Sequence, residues 1–144
     1  MDPSLNATAS TTINVPVAKV WHALVTPDLI KRYMFGTTVE SDWKEGSSIT
    51  WKGEWKGKAY EDKGVILTLD RGKRLRYTHF SPLAGLPDKP ENYHTVTIDL
   101  SGEDGRTQVS LAQDHNPTEE ERAHSEENWK TMLSGLKKYV EQQG

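Results

Sequence analysis

Residues 112–144 read AQDHNPTEEERAHSEENWKTMLSGLKKYVEQQG, and their spacing decides the fold. Trp129, Met132, Leu133, Leu136, Tyr139 and Val140 fall at offsets 0, 3, 4, 7, 10 and 11. That is one apolar stripe on an α-helix, with Lys130, Lys137, Lys138 and Glu141 on the opposite side. Two starts are compatible with the residues: Asn116 as N-cap with Pro117 at the first helical position, or Thr118 opening a capping box with Glu121. Glu119, Glu120 and Glu121 then meet the positive end of the helix dipole, and Lys137 and Lys138 the negative end. From Pro117 to Gln142 the helix spans about 39 Å at ~1.5 Å per residue. A single greasy stripe of that length needs a broad apolar partner.

The remainder of the chain supplies that partner as strands. Met1 to Asn6 is a polar tail, and Thr8 to Val15 is β-branched and loosely alternating, which predicts a strand. Pro16 opens a helix with Val17, Val20, Trp21 and Leu24 on one face. Thr26-Pro27-Asp28 starts a second, with Thr26 as cap and Leu29, Ile30, Tyr33 and Met34 as its apolar residues. From Thr37 onward helical periodicity disappears, and strands are predicted at 38–43, 47–55, 58–70, 73–81, 93–101 and 106–114. The turns between them are Glu45-Gly46, Lys56-Gly57, Arg71-Gly72 and Asp104-Gly105. Such short links force an antiparallel meander. The one long connection, 82–92, carries Pro82, Pro87 and Pro90 and reads as a loop over an opening.

The order is strand, two helices, six strands, long helix. This is an α+β domain of helix-grip type, a seven-stranded antiparallel sheet curled around the C-terminal helix. Residues 1–7 form a flexible tail and 8–142 a single domain. With 144 residues the chain is long enough to bury roughly two-thirds of its unfolded surface. The net charge of −3 comes with no basic stripe to neutralise phosphates, which disfavours nucleic acid as a partner. The absence of cysteine excludes disulfides, thiolate chemistry and sulfur-ligated zinc. No leader motif and no apolar run near the ~20 residues of a membrane span is present, so a cytoplasmic protein without a membrane span is expected.

Strand alternation selects the residues that face the helix. On 73–81 they are Leu75, Tyr77 and His79. Elsewhere they are Ile49, Trp51 and Trp55; Val65, Leu67 and Leu69; Val96, Ile98 and Leu100; and Val109 and Leu111. Extending the parities brings the polar residues His79, His94 and Gln113 inward. A hairpin turn centred on Glu103-Asp104 sets His94 opposite Gln113, whereas a turn on Asp104-Gly105 sets Val96 there, on the same face. These polar groups either end their strands in water and loop backbone, or orient a ligand at the mouth of an apolar pocket. The expected ligand-binding set is Trp51, Tyr77, His79, His94, Val96, Ile98, Gln113, Trp129 and Met132.

No metal site is expected: His79 and His94 lack a third ligand at recognisable spacing, and no HxH or HExxH occurs. Nor is there a GxSxG elbow, a Gly-rich phosphate loop or a cysteine nucleophile. No catalytic residue and no cofactor is assigned.

Several stretches carry a family resemblance. INVPVAKVWHALVTPDLIKRYM (13–34) resembles the opening of the SRPBCC (START-like) superfamily, with its Val-Trp helix and Thr-Pro turn. GVILTLDRGKRLRYTHF (64–80), GRTQVSLAQDHNPTEEE (105–121) and NWKTMLSGLKKYVEQ (128–142) are similar to the family named after the activator of the heat-shock-protein ATPase. The resemblance covers residues 8–142. It implies the helix-grip fold of START proteins and the birch-pollen allergen, with a cavity between sheet and long helix, and speaks for shape more than chemistry. Three functions follow as expectations: binding of a small apolar or aromatic molecule, which leads; a co-chaperone-like protein with a heat-shock ATPase partner; and an enzyme of the polyketide cyclase or hydrolase kind, with His79 or His94 as general base.

Overall fold

A computed structural model describes residues 5–34, 36–55, 57–81, 87–89, 92–116 and 118–143. The side chain of Trp55, together with Lys56, Pro82, Pro90 and Pro117, lies outside the described residues, as does most of the 82–92 connection. The elements in chain order are β1 (Ala7–Ile13), α1 (Val17–Val25), α2 (Pro27–Tyr33), β2 (Thr38–Ser41), β3 (Ser48–Trp55), β4 (Lys58–Asp70), β5 (Arg74–His79), β6 (His94–Glu103), β7 (Arg106–Gln113) and α3 (Glu119–Gln143). The strands form one seven-stranded sheet in the order β1-β7-β6-β5-β4-β3-β2, antiparallel throughout. Among the described residues no helix is long and apolar enough to cross a membrane.

The apolar stripe of α3 does what its spacing requires. Met132, Leu133, Leu136 and Val140 are buried against a core that includes Trp21 and Leu24 of α1 and Ile98 and Leu111 of the sheet, while Trp129 and Tyr139 pack at its margin. The helix start resolves to Thr118, whose Oγ1 accepts from the Glu121 amide at 3.1 Å. Asn116 acts elsewhere. Fully buried, it donates through Nδ2 to the carbonyls of Leu5 and Gln113, both at 3.0 Å. Two other end expectations need correction. The helix runs on to Gln143, so Lys137 and Lys138 sit inside it and its last turn carries no basic residue. Thr26 occupies the cap position of α2 without a capping bond; its hydroxyl meets His22 Nδ1 at 3.2 Å instead.

α3 also closes the open edge of β1. Glu126 Oε1 accepts from the Thr8 amide at 3.1 Å, Lys137 Nζ donates to the Thr12 carbonyl at 2.7 Å, and Glu141 Oε2 accepts from the Asn14 amide at 2.9 Å. From Glu126 to Glu141 the helix rises about 22 Å at ~1.5 Å per residue. From Thr8 to Asn14 the strand advances about 20 Å at ~3.3 Å per residue. The two travel together, so one helix face caps an edge that otherwise presents unpaired backbone to other chains.

Register follows the turns. Asp104 and Gly105 both have positive φ, 52° and 75°, the geometry of a type I′ hairpin. Val96 therefore faces Gln113, and His94 lies diagonally beyond it.

The inward face of β4 differs from the alternation reading. Val65 and Leu67 are 39% and 42% exposed, and Ile66 is the buried residue. The register shifts between Ile66 and Thr68 against β5, a bulge that sets Ile66 opposite Tyr77 and Leu69 opposite Leu75. Counting back from Ile66 puts Gly64, Asp62 and Tyr60 on the concave face. Gly64 is required there, because a Cβ on it would collide with the Thr78 carbonyl.

Candidate functional site

Two adjoining features lie on the concave face, with Trp51 between them. The first is a small apolar cavity of about 30 Å³ between the helices and the sheet. Trp51, Tyr77 and Ile98 line it from the sheet and Met132 from α3, with Met34 and Trp43 closing the side toward α2 and β2. Tyr77 and Tyr33 are buried, and burial pushes both phenols far above their ordinary range, so they stay neutral. Trp43 is unusual twice over. Its backbone is left-handed, with φ 55°, a strained setting for a bulky residue, and its buried Nε1–H has no hydrogen-bond partner among the described residues.

The second feature is polar and adjoins Trp51. The Trp51 ring lies 5.2 Å from Tyr77 and 5.0 Å from His79, edge-on to the latter. His79 and His94 are directly paired across β5 and β6, and their rings stack 6.3 Å apart. Asp62, opposite Trp51 on β4, places Oδ2 2.9 Å from His79 Nε2. Its Oδ1 is buried without a partner among the described residues. His94 Nδ1 sits 2.8 Å from the Asp114 carbonyl, which only accepts, so Nδ1 carries the proton. Burial holds the His94 pKa below the ordinary histidine range, and the neighbouring His79 adds to that. At the far end Trp129 Nε1 donates to Gln113 Oε1, tying α3 to β7.

The expected residues thus divide. Trp51, Tyr77, Ile98 and Met132 line the cavity; His79 and His94 form the polar cluster beside it; Val96, buried, stands between Tyr77 and Gln113 across the strands; and Gln113 and Trp129 hold each other. Asp62 and Trp43 were missed. Asp62 was legible across the Lys56-Gly57 turn, which sets it opposite the inward Trp51, whereas nothing in the sequence marks the backbone of Trp43. His22, His115 and His124 are exposed. Among the described residues no three His, Cys, Asp or Glu side chains converge as a metal site. A wider open groove of about 510 Å³ runs beside Ser10, Ser110 and Asp99 to Glu126 and Lys130. It has no aromatic wall and lies apart from the histidines.

Comparison with known proteins supplies the family. Residues 14–141 match the model of the "Activator of Hsp90 ATPase homolog 1-like protein" family. The chain belongs to that family. No curated protein matches it. Among solved structures, ChR145 from Cytophaga hutchinsonii is 61% identical over 99% of this chain and 98% of its own, with a TM-score of 0.86. Protein NE0264 from Nitrosomonas europaea is 23% identical over 99% and 98%, with a TM-score of 0.77. Ara h 8.0201 is 16% identical over 94% and 96%, with a TM-score of 0.74. The latter two likenesses establish the helix-grip fold and no more. This chain builds that fold from its seven-stranded sheet and long C-terminal helix.

Proposed function

We propose that this chain binds a small apolar or aromatic molecule between the curved sheet and α3. The observation that carries the reading is the apolar cavity walled by Trp51, Tyr77, Ile98 and Met132, with His79 and Asp62 on the far side of the Trp51 ring. Small-molecule sites combine aromatic walls with a few oriented polar atoms in this way. In this closed form the cavity is about 30 Å³, against roughly 300–1,000 Å³ for drug-sized ligands. Binding therefore requires the walls to move apart. Met34 and Met132, unbranched and adaptable, are the side chains suited to that, and the strained Trp43 is the aromatic wall with least to lose by moving. In this reading Trp51, Tyr77, Val96, Ile98 and Met132 hold the ligand frame, while His79, His94, Gln113 and Trp129 bound its polar end.

Native mass spectrometry of freshly purified protein, followed by tryptophan-fluorescence titration with aromatic probes, tests the reading. A retained small-molecule mass and quenching on titration are expected. Trp51→Ala and Met132→Ala should weaken binding while circular dichroism stays native. No retained mass and no quenching by any probe would remove the proposal.

The His79–Asp62 pair favours a second reading, an enzyme of the cyclase or hydrolase kind, because a general base is commonly held by a carboxylate on its other nitrogen. Turnover of an aromatic polyketide-type probe, abolished in His79→Ala, would support it. The family name points to a third, a heat-shock ATPase partner, for which stimulated ATP hydrolysis on adding this chain is the test.

A further inference from the structure

The hydrogen bonds of the polar cluster define what kind of group it can receive. Asp62 presents only acceptors when ionised, so the contact at 2.9 Å is a donation from His79 Nε2–H to Oδ2. The neutral His79 ring is then left with Nδ1 as a lone pair. His94 has the opposite tautomer and the same consequence. Its Nδ1–H is given to the Asp114 carbonyl, and Nε2 is left as a lone pair. Neither of these nitrogens makes a hydrogen bond among the described residues, and Asp62 Oδ1, which is buried, is a third acceptor without a partner there. Lys and Arg make no hydrogen bond or ion pair to Asp62, His79 or His94 among the described residues, and so put no positive charge in contact with the cluster. Trp51 spans the two features, touching Tyr77 of the cavity on one side and His79 on the other.

We propose that the cluster is an acceptor face, which selects aromatic ligands bearing a hydrogen-bond donor such as a hydroxyl or amine, and that Asp62 sets this preference by holding His79 in the tautomer with a free Nδ1. The inference rests on the ligand-binding reading above and specifies the polar end of the same site. A donor on the ligand finds unoccupied lone pairs. An ether offers only acceptors to other acceptors, and a carboxylate adds a negative charge facing Asp62. A ligand that covers these acceptors without offering a donor takes water from them and leaves them unmatched, and that penalises the wrong ligand. Asp62 is a positioning residue here, acting through the imidazole.

Four probes of one ring size separate the possibilities: naphthalene, a naphthol, its methyl ether and the naphthoate, titrated against the full chain by tryptophan fluorescence above neutral pH. The naphthol should bind at least about tenfold more tightly than the ether or the naphthoate, the equivalent of one satisfied hydrogen bond. In Asp62→Asn the amide can either donate to His79 Nε2 or accept from it, so the ring is no longer held in the tautomer with a free Nδ1. The naphthol should then lose part of its advantage over the ether, His94 Nε2 still accepting, while naphthalene affinity is kept. NMR of the imidazole nitrogens reads the tautomer directly in the unaltered protein, with Nε2 of His79 protonated and Nδ1 bare. Equal affinities for naphthol and ether, preference for the naphthoate, or a proton on Nδ1 of the neutral ring would overturn the inference while leaving ligand binding intact. Failure of all four probes, naphthalene included, would overturn the binding reading and this one with it.

Discussion

Trp129 Nε1 donates its only hydrogen to Gln113 Oε1, linking the first residue of the α3 stripe to the last residue of β7. Gln113 is buried, so the bond forms where water does not compete freely. Gln113→Leu should leave the indole N–H without its acceptor and cost about 1–3 kcal/mol. Gln113→Glu, which keeps an acceptor, should cost less at a pH low enough to keep its carboxyl protonated, since a buried carboxylate carries its own penalty. Urea denaturation of the two variants measures the difference, and equal stabilities would show that the bond contributes nothing.

Thr118 and Asn116 sit two residues apart before α3, with different burdens. Thr118→Ala removes one exposed capping bond and should cost about 1 kcal/mol. Asn116→Ala removes two buried bonds and the link to the Leu5 carbonyl, leaving both carbonyls short of a donor. Its loss of stability should be clearly the larger. Thermal melts of both variants decide the order, and a costlier Thr118→Ala would reassign the cap.

Glu126 and Glu141 close the β1 edge as carboxylates. The Thr8 amide, helped by Arg122 and Lys130, lowers the Glu126 pKa; Lys137, then the Asn14 amide, lowers that of Glu141. A carboxyl with a depressed folded-state pKa contributes stability that is present above its unfolded value, near 4.5, and is lost as pH falls through the folded value. The unaltered protein should therefore weaken as pH drops below that range. The double variant Glu126→Gln, Glu141→Gln should show a shallower decline over the same interval. Parallel stability–pH curves would mean that these carboxylates do not carry the acid sensitivity.

Gly64 lies at the point where β4 presses on the Thr78 carbonyl. Gly64→Ala forces backbone to move rather than a flexible side chain and should cost about 1–3 kcal/mol, as overpacking does. Hydrogen exchange at the Phe80 amide, bonded to the Lys63 carbonyl at 2.8 Å next door, should accelerate in the variant. Unchanged protection there would argue against the close approach.

Periodicity is a property of neighbouring residues, and whatever depends on it was legible in the chain. The α3 stripe from Trp129 to Val140, the buried Trp21 and Leu24 of α1, and the inward Ile49, Trp51, Leu75, Tyr77, Ile98 and Leu111 all follow from offsets of 3.6 or 2. So do the hairpins, because Asp104-Gly105 and its counterparts carry their geometry in their own side chains. The inward face of β4 was not legible, since a bulge against β5 moves every residue before it to the other side of the sheet, and Val65 and Leu67 look as apolar as Ile66. Asp62 follows from the turn that sets it opposite Trp51, but its partnership with His79, joining residues 17 apart in sequence across neighbouring strands, does not. The capping of β1 by Glu126, Lys137 and Glu141 likewise joins residues more than a hundred positions apart. Cavity volume is decided last of all: it is the small remainder after a dozen side chains from seven elements have packed, and no local pattern specifies a remainder.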